Sequence, residues 1–131
     1  MGNGTSIGRV RGLGSAKDGS DHWWRQRLTA GSNLALMLWF VTSLARLLGY
    51  DYVTVALWLS SAWAAVPLIL LCISVFYHLR LGLQVVIEDY QHDETRIVLL
   101  ILLDYFTVAL ATLAIFSILR IAFTPVTGAP L

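Results

Sequence analysis

The chain has 131 residues, 57% of them hydrophobic and 13% charged, with a formal net charge of +1 and a mean hydropathy of +0.71. This composition excludes an ordinary water-soluble globule and gives no support to a nucleic-acid partner, which needs a marked basic excess. The one cysteine, Cys72, cannot build a disulfide framework and reads as a small core residue within an apolar run.

Residues 1–20 are expected to form a flexible, glycine-rich arm. Gly2, Gly4, Gly8, Gly12 and Gly14 stand among Ser, Asn and Arg without apolar periodicity. No apolar stretch lies near Met1, so the arm does not read as a cleaved signal peptide. The texture changes at DGSDHWWRQR, residues 18–27. There Ser20 or Asp21 can cap a helix, and Trp23 and Trp24 suit the headgroup level of a bilayer.

Three stretches are then long enough to cross a hydrocarbon core about 30 Å thick, which takes roughly 20 helical residues. Residues 28–45 and 52–79 carry no formal charge, and residues 97–119 carry only Asp104. A spanning sheet would have to close into a barrel to satisfy its backbone, and no segment alternates apolar and polar residues as a barrel requires. The expectation is an all-α membrane protein with a three-helix domain over residues 21–122. Its spans are placed at about 26–48, 54–80 and 95–120, followed by a tail over 123–131.

Basic residues set the orientation. Arg9, Arg11, Lys17, Arg25 and Arg27 precede the first span, and Arg80 and Arg96 lie between the second and third; only Arg46 and Arg120 fall on the other side. Three spans make a multi-pass protein, expected in the cell inner membrane, and the positive-inside rule gives its orientation. Its amino terminus and second loop are expected to be cytoplasmic, and its carboxyl tail periplasmic.

The chemistry is concentrated in YHLRLGLQVVIEDYQ, residues 77–91. If the second helix continues through it, at about 100° per residue His78, Gly82, Val85 and Asp89 share one stripe, with Ser74, Leu71 and Pro67 upstream on the same stripe. The small residues one turn to either side of His78 would let a bulky flat group approach the backbone. The bland reading is an interfacial histidine, a packing glycine and a solvated acidic helix end. A histidine projecting from a helix is also the usual ligand of a haem iron, and the absence of C-x-x-C-H makes such a haem non-covalent, of b type. His22 and His92 flank the spans, so a second histidine ligand would have to come from another subunit.

The pattern H-x-x-x-G-x-x-x-x-x-x-D-Y (His78, Gly82, Asp89, Tyr90), with VIEDY, the three-span layout and R-L-T-A at residues 27–30, resembles the small hydrophobic membrane anchors of succinate dehydrogenase, respiratory complex II. The similarity covers about residues 15–122, and the Trp-rich entry points to the alphaproteobacterial or mitochondrial-like branch.

The resemblance implies half of a haem-b-binding helical bundle completed by a second membrane anchor, the cytochrome b subunit. His78 would be one axial ligand of the haem iron and the partner's histidine the other. Flavoprotein and iron–sulfur subunits would dock on the cytoplasmic face, and ubiquinone would be reduced where the iron–sulfur subunit meets both anchors. Tyr90 matches the family's quinone-binding tyrosine, and Asp89 its neighbouring acid.

Reducing a quinone takes two electrons and two protons. A phenol that donates to a quinone carbonyl, beside an acid in contact with water, suits that need. Arg27 is a candidate partner for a haem propionate, and His22 is another, although its register is off by one from the family pattern.

Asp104 departs from that pattern. A carboxylate within a span is costly, and the expected remedies are protonation, a hydrogen bond to Asn33 or Ser32 of the first span, or a partner subunit. Its expected role is structural. The chain carries no catalytic constellation of its own. The competing reading is a non-redox membrane protein, an assembly factor or small transporter subunit, with His78 and Asp89 at the interface.

Overall fold

The computed structural model describes the backbone of residues 15–124 and the side chains of residues 20–124. It comprises four helices: α1 (Ser15–Ala45), α2 (Tyr52–Leu59), α3 (Ala62–Tyr90) and α4 (Asp93–Phe123). No strand occurs among the described residues. Three helices are long and apolar enough to cross a membrane: Ser20–Ala45 within α1, α3, and α4. The all-helical, three-span expectation therefore holds.

The boundaries differ from expectation in instructive ways. The first helix starts at Ser15, inside the stretch expected as an arm, because Ala16 and Lys17 favour helix. Ser20 and Asp21 are thus interior residues and not its cap. Residues 1–14 of the expected arm, and the tail beyond Thr124, lie outside the described residues.

The apolar stretch 52–79 is not one helix, for α2 ends at Leu59, capped by Ser60, and α3 starts at Ala62. Ser60 donates its hydroxyl to the Leu57 carbonyl at 2.7 Å, and Ser61 turns to an extended conformation (ψ 132°) as the cap of α3. Its carbonyl accepts the Ala64 and Ala65 N–H groups. At about 1.5 Å per residue the eight residues of α2 reach only about 12 Å. The second crossing therefore belongs to α3 alone.

Helix α3 is the central element, packed against α1 on one side and α4 on the other; α1 and α4 do not meet among the described residues. Its 29 residues measure about 43 Å, well beyond a hydrocarbon core of about 30 Å. The last turns, rich in Gln84, Glu88 and Asp89, thus reach into the aqueous edge.

Only two residues, Gln91 and His92, separate α3 from α4. Asp93 takes the left-handed conformation (φ 62°) that closes this turn, a geometry that Asp tolerates better than most residues.

At the opposite end α2 lies over α3 and α4. Leu59, Ala65 and Ile118 form a buried cluster there, lined by Trp58, Leu68 and Cys72, so Cys72 is a half-buried core residue. Most large apolar side chains face outward, among them Leu34, Trp63, Ile101, Phe106 and Phe116. That is the arrangement expected where the solvent is lipid or a partner helix.

Candidate functional site

The α1–α3 seam carries a polar stripe. At offsets of four, seven and eleven residues along α1, His22, Gln26, Thr29 and Asn33 form one stripe. Ser74, His78 and Gly82 of α3 come from the facing helix.

The best-made contact joins Thr29 Oγ1 to His78 Nδ1 at 2.9 Å, both residues being half-buried. Ser74 donates its hydroxyl to the Thr29 carbonyl at 3.4 Å. Gly82 faces Gln26: a methyl group at Gly82 would sit 3.9 Å from Gln26 Nε2, an ordinary contact. The gap at Gly82 is therefore covered on this side by α1.

His78 lies on α3 as the stripe through residues 77–91 requires, with helix continuing to Tyr90. The Nδ1 contact leaves the far nitrogen, Nε2, as the atom that can accept a metal. Among the described residues no three His, Cys, Asp or Glu side chains converge to hold an ion. A single imidazole suits a group whose other ligands come from elsewhere.

Asp89 and Tyr90 occupy the last turn of α3, both exposed, with Tyr90 78% accessible. Twelve residues of helix separate Tyr90 from His78, about 18 Å along the axis. The two positions are therefore well apart, one within the helix bundle and one at the end of α3.

The α1 entrance carries the remaining candidates. Arg27 is exposed, with its guanidinium 4.3 Å from the centre of the Trp23 ring, a cation–π contact. Trp23 meets Trp24 edge to face. His22 is half-buried, and its Nε2 has no hydrogen-bond partner among the described residues. It lines a cavity of about 300 Å³ together with Asp21, Arg25, Arg80, Leu81 and Gln84. Arg27 and His22 are not brought into contact with His78.

Asp104 corrects the expectation made for it. Its partner is neither Asn33 nor Ser32, because α1 does not touch α4. Instead Arg80, at the end of the expected second span, lies within α3 and donates Nε to Asp104 Oδ1 at 2.6 Å and Nη2 to Oδ2 at 3.3 Å. Arg80 Nη1 also donates to Gln84 Oε1 at 3.1 Å, and Gln84 Nε2 to Glu88 Oε1 at 2.9 Å. The charge is thereby linked by rungs four residues apart to the aqueous end of α3.

Sequence pattern places Thr29 only within R-L-T-A and gives it no role of its own. Its position seven residues from His22 on an otherwise apolar helix is the signal that could have singled it out.

Comparison with known proteins gives concordant results. The family model for the succinate dehydrogenase/fumarate reductase transmembrane subunit matches residues 1–119. The chain is 39% identical over 85 residues to the succinate dehydrogenase hydrophobic membrane anchor subunit of Rickettsia bellii, covering 64% of this chain and 67% of that one. Its identity to the same subunit of Rickettsia conorii is 35% over 105 residues, covering 78% and 82%. To the succinate dehydrogenase membrane anchor subunit of Reclinomonas americana it is 35% over 91 residues, covering 66% and 76%. No solved structure matches.

Proposed function

The chain belongs to the succinate dehydrogenase/fumarate reductase transmembrane subunit family, as a membrane anchor subunit of succinate dehydrogenase, and from that premise we propose how its residues serve the complex. It holds the flavoprotein and iron–sulfur subunits at the cytoplasmic face of the inner membrane, pairs with a second, cytochrome b anchor, supplies one ligand to a shared haem b, and lends Tyr90 to the ubiquinone site.

The observation that carries this reading is the His78 ring, tied through Nδ1 to Thr29 at 2.9 Å within the bundle. The donor chemistry fits a b haem: one imidazole nitrogen is held by the protein, the other is available to iron, and no competing ligand cluster exists among the described residues. When bound, the haem supplies a one-electron centre between the two anchors. Arg27 and the unpaired His22 Nε2 are the groups at the entrance available to its propionates.

Tyr90 and Asp89 stand where α3 leaves the membrane, at the same end as the short Gln91–His92 connection. A phenol there can donate to a quinone carbonyl and orient the ring, while Asp89, in reach of water, replaces protons in the local network. Neither group needs to approach His78, which agrees with the separation of about 18 Å along α3.

The test is a reduced-minus-oxidised visible spectrum of the co-purified complex, with and without His78→Ala. A low-spin b-type signal in the wild type that is lost or altered in the variant is expected. An unchanged spectrum and midpoint potential in His78→Ala would remove His78 as a ligand.

A further inference from the structure

We infer that Thr29 is a positioning residue for His78: its hydroxyl oxygen accepts the Nδ1–H of the imidazole, so that Nε2 keeps its lone pair free to bind iron. This rests on the reading of His78 as a haem ligand and extends it to the first span.

Proton counting around Thr29 carries the inference. Its hydroxyl has one hydrogen and two lone pairs. Two main-chain carbonyls stand within reach of that hydrogen, Arg25 O at 2.8 Å and Gln26 O at 3.0 Å. This back-bond to the preceding turn is the usual habit of a threonine in an apolar helix. With the hydrogen so committed, the contact to His78 Nδ1 at 2.9 Å is complete only if the ring is the donor and Thr29 Oγ1 the acceptor. The opposite assignment puts the proton on Nε2, which can then bind no metal, and takes the hydroxyl from both carbonyls.

Two features keep the oxygen in place. A threonine splits between two χ1 rotamers in a helix because Oγ1 can bond the preceding turn, and that bond is made here. The Ser74 hydroxyl also donates to the Thr29 carbonyl at 3.4 Å, which ties the backbone of α1 to the helix that carries His78, one turn before it. The ring is thus aimed by an element other than its own.

A hydrogen bond at Nδ1 makes the imidazole a stronger electron donor, which favours ferric over ferrous iron; such outer-sphere partners are typically worth about 10- to 100-fold in metal affinity. Thr29→Val keeps the shape and removes the acceptor, and Thr29→Ser restores it on the same backbone. In the purified complex, Thr29→Val is expected to raise the haem midpoint potential and to weaken haem retention by about 10- to 100-fold during detergent dialysis. Thr29→Ser is expected to behave as the wild type in both measurements, while His78→Ala loses or alters the low-spin signal.

If His78→Ala changes the spectrum but Thr29→Val leaves potential and retention untouched, the role of Thr29 is overturned and that of His78 stands. If His78→Ala changes nothing, both fall. Should Thr29→Val fail to assemble, Thr29→Ala decides: a raised potential supports the hydroxyl as the acceptor, and an unchanged one overturns it.

Discussion

Arg80 and Asp104 form a two-point ion pair, Nε to Oδ1 at 2.6 Å and Nη2 to Oδ2 at 3.3 Å, that joins the second and third spans at matching depth. Each residue alone is a charge in a costly place, and together they present a nearly neutral, hydrogen-bonded unit.

This pairing predicts strong coupling between the two positions. Arg80→Leu or Asp104→Leu alone should destabilise the α3–α4 pair by about 1–3 kcal/mol, because each strands the partner's charge. The double substitution should cost less than the sum. A double-mutant cycle on detergent denaturation of the purified complex measures this, and simple additivity would show that the contact contributes nothing.

Tyr90→Phe removes one phenol oxygen and leaves the ring. The haem spectrum and subunit attachment should survive, while quinone reductase turnover falls at least several-fold, since a hydrogen bond to the carbonyl contributes about 0.5–1.5 kcal/mol and more as charge develops. Succinate oxidation by an artificial acceptor that draws electrons from the soluble subunits should stay near normal. Equal losses in both assays would indicate misassembly.

Asp51 caps α2, its Oδ2 accepting the Thr54 N–H at 3.1 Å and its Oδ1 accepting the Thr54 hydroxyl at 2.6 Å. These bonds, the hydroxyl first, hold its carboxyl below the ordinary carboxylate range. A lowered value in the folded state means stabilisation that is present above about pH 4 and is lost as the pH falls through the lowered value. Asp51→Ala should therefore reduce Tm by at most a few degrees at neutral pH, and the gap to wild type should close in acid. A gap independent of pH would assign the effect to something other than the carboxylate.

For topology, setting aside Arg80, whose charge is paired with Asp104, leaves Arg9, Arg11, Lys17, Arg25, Arg27 and Arg96 toward one side against Arg46 and Arg120 toward the other. The bias survives. A reporter fused after Leu131 should be periplasmic, and one inserted after His92 cytoplasmic; the reverse pattern would detach the quinone site from the soluble subunits.

The spans themselves were legible because composition alone decides whether a long stretch can sit in hydrocarbon. The break at Ser60–Ser61 was not, since apolar residues flank it on both sides and no glycine or proline falls within it. His78 could be placed on its helix from spacing, but the bond to Thr29 depends on how α1 docks, which no single-helix periodicity reports. Arg80 was absent from the partners expected for Asp104 for the same reason. The depth of Asp104 along the chain was readable, whereas the order of helices, with α3 between the other two, was not.

The tight connection at Gln91–His92 gives the Arg80–Asp104 pair a meaning for biogenesis. A lone Arg or Asp costs about 2.5–3.5 kcal/mol at the centre of a span on insertion from the translocon, and less toward its end, the side on which Arg80 and Asp104 lie. Released one at a time, α3 and α4 would each bear that cost. Released as a hairpin, which a two-residue connection favours, they can form the pair on entry and share the penalty between them. For these two spans the unit that enters the bilayer without stranding a charge is thus the pair of helices, not either helix.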